Sequence, residues 1–75
     1  MKQFQVDHFY LANESSFGGV TVERRTDRTI FVVNHNGVKF RMRIKVYKNG
    51  NEYAVDSSVP KKWRIAFTYE ANHEG

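Results

Sequence analysis

From residue 38 to residue 47 the chain reads Val38-Lys39-Phe40-Arg41-Met42-Arg43-Ile44-Lys45-Val46-Tyr47, apolar and basic residues alternating at every step. A period of two is that of a β-strand with one face on a core and the other in water. Val38, Phe40, Met42, Ile44 and Val46 are predicted to point inward, and Lys39, Arg41, Arg43 and Lys45 outward. Asn36-Gly37 and Asn49-Gly50 bracket this strand, and Asn and Gly best tolerate the positive φ of a two-residue hairpin turn. Such a turn at Asn49-Gly50 sets Val46 opposite Tyr53 and Ile44 opposite Val55 inside, with Arg43 facing Asp56 outside. The same turn at Asn36-Gly37 sets Phe40 opposite Val33 and Met42 opposite Phe31. Ile30 and Val32 then fall on the outer face beside Arg43 and Arg41.

Upstream, Val20-Thr21-Val22-Glu23-Arg24-Arg25 alternates as well, and a turn near Thr26-Asp27 brings Val22 opposite Phe31 with Thr21 and Glu23 outside. Trp63-Arg64-Ile65-Ala66-Phe67-Thr68-Tyr69-Glu70 predicts a further strand with Trp63, Ile65, Phe67 and Tyr69 inward. Ser57 to Lys62 reads as a connector, since Pro60 cannot donate to a central ladder. Phe4 and Val6 share one parity and Phe9 and Leu11 the other, which predicts two short strands or a bulge near Asp7-His8. Residues 13–19 read as a loop and 71–75 as a loose tail. These elements define one all-β domain over residues 1–75, a small strongly curved antiparallel sheet or small barrel of about six strands. Phe31, Phe40, Met42, Ile44, Val46, Trp63, Ile65 and Phe67 are its predicted core.

A chain of 75 residues without cysteine must build that core from packing alone, with no disulfide or thiolate metal site to support it. Aromatic residues at 15% of the chain supply the bulk to do so. Twelve Lys and Arg against eight acids leave a net charge of +4, which favours anionic partners such as nucleic acid or acidic proteins. No apolar run resembles a secretion signal or reaches membrane-spanning length, so a cytoplasmic protein without a membrane partner is expected.

The segments Glu23 to Val33 and Arg41 to Tyr53 resemble parts of small uncharacterised basic β-sheet proteins encoded by bacteriophages and mobile elements. The resemblance transfers no functional residue. It implies a setting in which small proteins act on host regulation or defence machinery, and so an inhibitor reading.

The outward cations Lys39, Arg41, Arg43 and Lys45 stand about 6.8 Å apart, two strand residues of ~3.4 Å each, close to the phosphate repeat of an extended single strand. With Tyr47 at the strand end as a stacking residue, they are the candidate nucleic-acid-binding set; the bland alternative is a solvated sheet face whose charges suppress aggregation. The candidate protein interface is Ile30 and Val32 between Arg41 and Arg43, facing a host protein or a nucleoprotein complex. Self-association through an exposed strand edge is a third reading. Arg24, Arg25 and Arg28 cluster at one turn, and Lys61, Lys62 and Arg64 around Pro60. His8, His35 and His73 lack metal-ligand spacing, and Asp7-His8 with Ser15 or Ser16 lacks the elbow and oxyanion motif of a hydrolase. The expectation is a non-enzymatic binding module without metal or cofactor.

Overall fold

A computed structural model describes residues 1–75. Six strands form: β1 (Phe9–Ala12), β2 (Gly19–Arg25), β3 (Thr29–Asn34), β4 (Lys39–Val46), β5 (Glu52–Val55) and β6 (Thr68–Glu74). Each pairs antiparallel with the next, and β1 also pairs with β6, so the sheet closes into a barrel. The all-β class and the strand number are those the alternation predicts. Closure leaves no strand at an edge, which removes the edge that self-association was expected to use. No helix is long and apolar enough to cross a membrane.

Both hairpin registers differ by one residue from the predicted ones, and the cause lies in the turns. Asn36 and Asn49 do not take positive φ; Asp7, at 71°, is the only non-glycine that does, whereas Gly37 and Gly50 sit at 77° and 89°. Each connection is therefore a three-residue loop closing on a left-handed glycine, His35-Asn36-Gly37 in one case and Lys48-Asn49-Gly50 in the other. Asn34 N–H donates to Val38 O at 3.0 Å and Tyr47 N–H to Asn51 O at 2.9 Å across the two necks. An odd loop exchanges the faces of one of its two strands relative to the other. Ile30 thus lies opposite Met42, Val32 opposite Phe40 and Phe31 opposite Arg41. Ile30 and Val32, expected outside, are buried at 0% and 1% exposure, and Phe31 and Val33, expected inside, are half-buried on the outer face. Beyond the second turn Ile44 faces Ala54 and Lys45 faces Tyr53, and Asp56 accepts from Ser58 rather than pairing with Arg43.

In β2, Val22 opposes Val32 rather than Phe31, yet Arg24 opposes Phe31. The extra residue is a β-bulge, which reverses the facing beyond it. Arg24 consequently stays outside with Glu23, and Arg25 turns toward the barrel end beside Ile30.

The last strand begins later than the alternation predicts. Lys61–Trp63 forms a 3-10 turn, Phe67 N–H bonds back to Trp63 O at 3.1 Å, and Thr68 Oγ1 donates to Arg64 O at 2.7 Å. Trp63 and Ile65, expected in the core, are exposed at 46% and 80%, while Phe67 stacks on Phe17 with ring centroids 4.8 Å apart. Residues 71–74, expected loose, continue β6, with Ala71 buried. The reason is size: a barrel of few strands has a narrow interior, and the buried set is rich in small and β-branched side chains, Ala12, Ala54, Ala71, Val20, Val22, Val32 and Ile30. Met42 and Ile44 are buried as expected, Phe40 packs against the core half-buried, and Val46 at the rim is 60% exposed.

The N-terminal segment seals one end. Ahead of a turn at Val6-Asp7, Phe4 lies buried edge-on against Tyr10 with centroids 4.9 Å apart, and Tyr10 Oη accepts from Gln5 N–H at 2.7 Å. Burial, foremost, raises the Tyr10 phenol above its ordinary pKa. Buried Glu52 accepts from Phe4 N–H at 2.8 Å and from both Arg25 terminal nitrogens at 2.7 and 3.0 Å. Arg25 also donates to Phe4 O at 2.9 Å, so every polar group drawn into this end has a partner, as burial requires.

Candidate nucleic-acid interface

The four β4 cations Lys39, Arg41, Arg43 and Lys45 all project outward and are exposed. The register sets their neighbours: Val33 beside Lys39, Phe31 beside Arg41, Thr29 beside Arg43 and Tyr53 beside Lys45. Only Lys39 has an acidic partner, Glu23 at 3.5 Å, an exposed pair worth little. Arg41, Arg43 and Lys45 form no salt bridge, so their charge is available to an external anion.

Phe31 is the residue that sequence reasoning placed on the wrong face, and it changes the site. Its ring lies on the outer surface with the Arg24 guanidinium 4.2 Å from the centroid, a cation–π contact within the usual ~6 Å. Arg24 reaches it because of the bulge. A groove of about 410 Å³ opens here, lined by Phe31 and Phe40 with Glu23, Arg24, Lys39 and Arg41 around them. A second cavity of about 390 Å³ lies on the other side of Arg41, lined by Thr29, Met42, Arg43 and Ser57. The first is aromatic with a charged rim, and the second is polar and cationic. A loop of three residues ending in Gly37 is a reading that His35-Asn36-Gly37 permits, and it would have brought Phe31 outside; the bulge at Glu23 has no comparable signal.

Tyr47, the expected stacking residue, already has one face covered: it stacks on Tyr53 with centroids 4.0 Å apart, and its hydroxyl donates to Glu70 at 3.2 Å. Burial, reinforced by Glu70, raises its phenol above the ordinary value. The pair borders Lys45 and leaves Tyr47 at 38% exposure.

Ile30 and Val32 lie inside the barrel, so the interface they were expected to form with Arg41 and Arg43 does not exist. The turn cluster is divided as well, Arg24 outside and Arg25 bound to Glu52. Lys61, Lys62 and Arg64 remain exposed around Trp63, with Lys62 Nζ 5.8 Å from the indole centroid. His8 pairs with Glu74 and Ser16 Oγ donates to Glu14, so neither engages the other. No group of three His, Cys, Asp or Glu side chains is disposed to hold a metal ion.

The fold and site together define a class, a small closed antiparallel barrel with a cationic outer face that carries the half-buried Phe31 ring. No family model, curated protein or solved structure gives a match to this chain.

Proposed function

We propose that this protein is a non-enzymatic module that binds single-stranded nucleic acid on the outer face of β2, β3 and β4. The observation that carries the reading is the half-buried Phe31 ring, which lies on the outer face among Arg24, Arg41 and Lys39 in a groove beside the unpaired Arg43 and Lys45. Single-strand binders combine these two elements: cations that track the backbone and an aromatic face on which a base stacks.

The test is fluorescence anisotropy against short single-stranded DNA and RNA over a salt series. Each phosphate contact contributes a slope of roughly −0.7 in log affinity against log salt. Arg41→Glu with Arg43→Glu abolishes binding, and Phe31→Ala weakens it by about 1 to 3 kcal/mol, the worth of one stacked base. Absence of binding by the wild type at low ionic strength overturns the reading.

A second reading, an inhibitor seated on a host protein, rests on a different observation: Trp63 and Ile65 stand exposed at the opposite end of the barrel from Phe4. Buried aromatic anchors dominate interface energetics. In that case capture of the partner withstands salt that abolishes electrostatic binding and is lost in Trp63→Ser with Ile65→Ser.

A further inference from the structure

The two cavities that share Arg41 differ in chemistry in the way a nucleotide differs along its length. On one side Phe31 and Phe40 offer an apolar and aromatic surface, and on the other Arg43 with the hydroxyls of Thr29 and Ser57 offers charge and donors. Arg41 and Arg43 are separated by two strand residues, about 6.8 Å, the reach from a stacked base to its own phosphate. Phe31 stands beside Arg41, so a base over Phe31 carries its phosphate to Arg43.

Glu23 is the odd member. It is the only acid lining either cavity, and beside a phosphate track a carboxylate opposes binding. An ionised carboxylate only accepts hydrogen bonds, and a lysine ammonium only donates. Glu23 and Lys39 stand together at the groove, 3.5 Å apart, and so present two acceptor oxygens next to one donating ammonium group. Guanine is complementary to that order: its N1–H and N2–H2 are adjacent donors, and its O6 acceptor follows them. Adenine and cytosine each offer a single amino donor next to an unprotonated ring nitrogen. Thymine and uracil flank their one N–H with two carbonyl oxygens, which a carboxylate repels.

Building on the single-strand reading, we infer that the groove selects guanine, with Glu23 accepting from N1–H and N2–H2, Lys39 donating to O6, and the base stacked on Phe31. Glu23 is then the specificity-determining residue, and its negative charge is the means of excluding uracil and thymine.

The experiment measures anisotropy of the full chain with a nine-nucleotide thymidine strand and with the same strand carrying one central guanine, adenine or cytosine, which avoids guanine self-assembly. The single guanine tightens wild-type binding by about tenfold, within the range of one bidentate base contact, and adenine and cytosine rank between guanine and thymine. Glu23→Gln, on the exposed surface and checked for folding by circular dichroism, loses the guanine preference and binds the thymidine strand more tightly because the repulsion is gone. Salt-dependent binding with no guanine preference, or a preference that survives in Glu23→Gln, overturns the inference while leaving the single-strand reading in place. Absence of binding to all four strands overturns both.

Discussion

Arg25→Met probes the ion pair that closes the barrel beneath Phe4. Glu52 has 7% of its side chain exposed and Arg25 22%, so removing the cation strands a carboxylate in a site that water barely reaches. Breaking a buried pair in this manner costs about 3 to 5 kcal/mol, and the lower figure applies because the Arg25 end is still partly wet. A domain of this size has about 4 to 11 kcal/mol in total, at ~0.05 to 0.15 kcal/mol per residue. A loss near 3 kcal/mol lowers the melting temperature by roughly 12 to 24 °C. Burial acts to raise the Glu52 pKa, but the Arg25 hydrogen bonds, the Phe4 N–H and the Arg25 charge together outweigh it and hold the carboxyl below its usual range. A depressed folded value means that the pair's contribution is complete above the unfolded pKa of about 4.3 and fades as pH falls through the folded one. In the variant only burial and the single N–H remain, burial dominates, and the folded carboxyl binds its proton more readily than the unfolded one. Stability of Arg25→Met therefore rises as pH is lowered through the raised folded pKa toward the unfolded one of about 4.3, whereas the wild type loses its contribution below that value. Urea unfolding followed by circular dichroism at several pH values measures both. Wild-type stability of the variant at pH 7, or an unchanged pH slope, refutes the assignment of Arg25 and Glu52 as the buried seal.

Ile30→Asp or Val32→Asp places an unpaired charge in the barrel and unfolds the domain, whereas Phe31→Asp, one residue away on the outer face, leaves a native circular dichroism spectrum; the reverse result would restore the register with Phe31 inside. Phe40→Ala removes a half-buried ring and costs about 2 kcal/mol in urea unfolding, less than the 3 to 5 of a fully buried phenylalanine; a loss above 4 would place Phe40 at the centre of the core. Gly19→Ala drives a methyl into the Tyr10 carbonyl oxygen across the β1–β2 pair, a backbone clash that cannot relax by side-chain rotation, and lowers stability by about 1 to 3 kcal/mol. Gly37→Ala meets no neighbour within 4 Å and loses only about 1 to 2 kcal/mol for the left-handed backbone; wild-type stability of Gly19→Ala would contradict the close approach at Gly19.

The alternation in the sequence determined the all-β class, the six strands and the outward direction of Lys39, Arg41, Arg43 and Lys45, because each is a local matter: a strand with one apolar and one charged face has a single favourable orientation on a core. Facing is undetermined where both faces are apolar. Ile30-Phe31-Val32-Val33 buries comparable surface either way up, so its own burial energy cannot choose. The choice fell to one residue in the turn before Gly37, which put Ile30 and Val32 inside and set Phe31 beside Arg41. The bulge at Glu23 then brought Arg24 over the Phe31 ring and sent Arg25 to Glu52. Closure of the barrel acted similarly at the C-terminus: its narrow interior accepted Tyr69 and Ala71 and excluded Trp63 and Ile65, although all four lie on one alternating pattern. Local pattern decides which residues can form a strand. Which face of it is buried, and which residues meet across it, depends on loop parity and on the volume inside the closed sheet, and these exist only once all six strands are assembled.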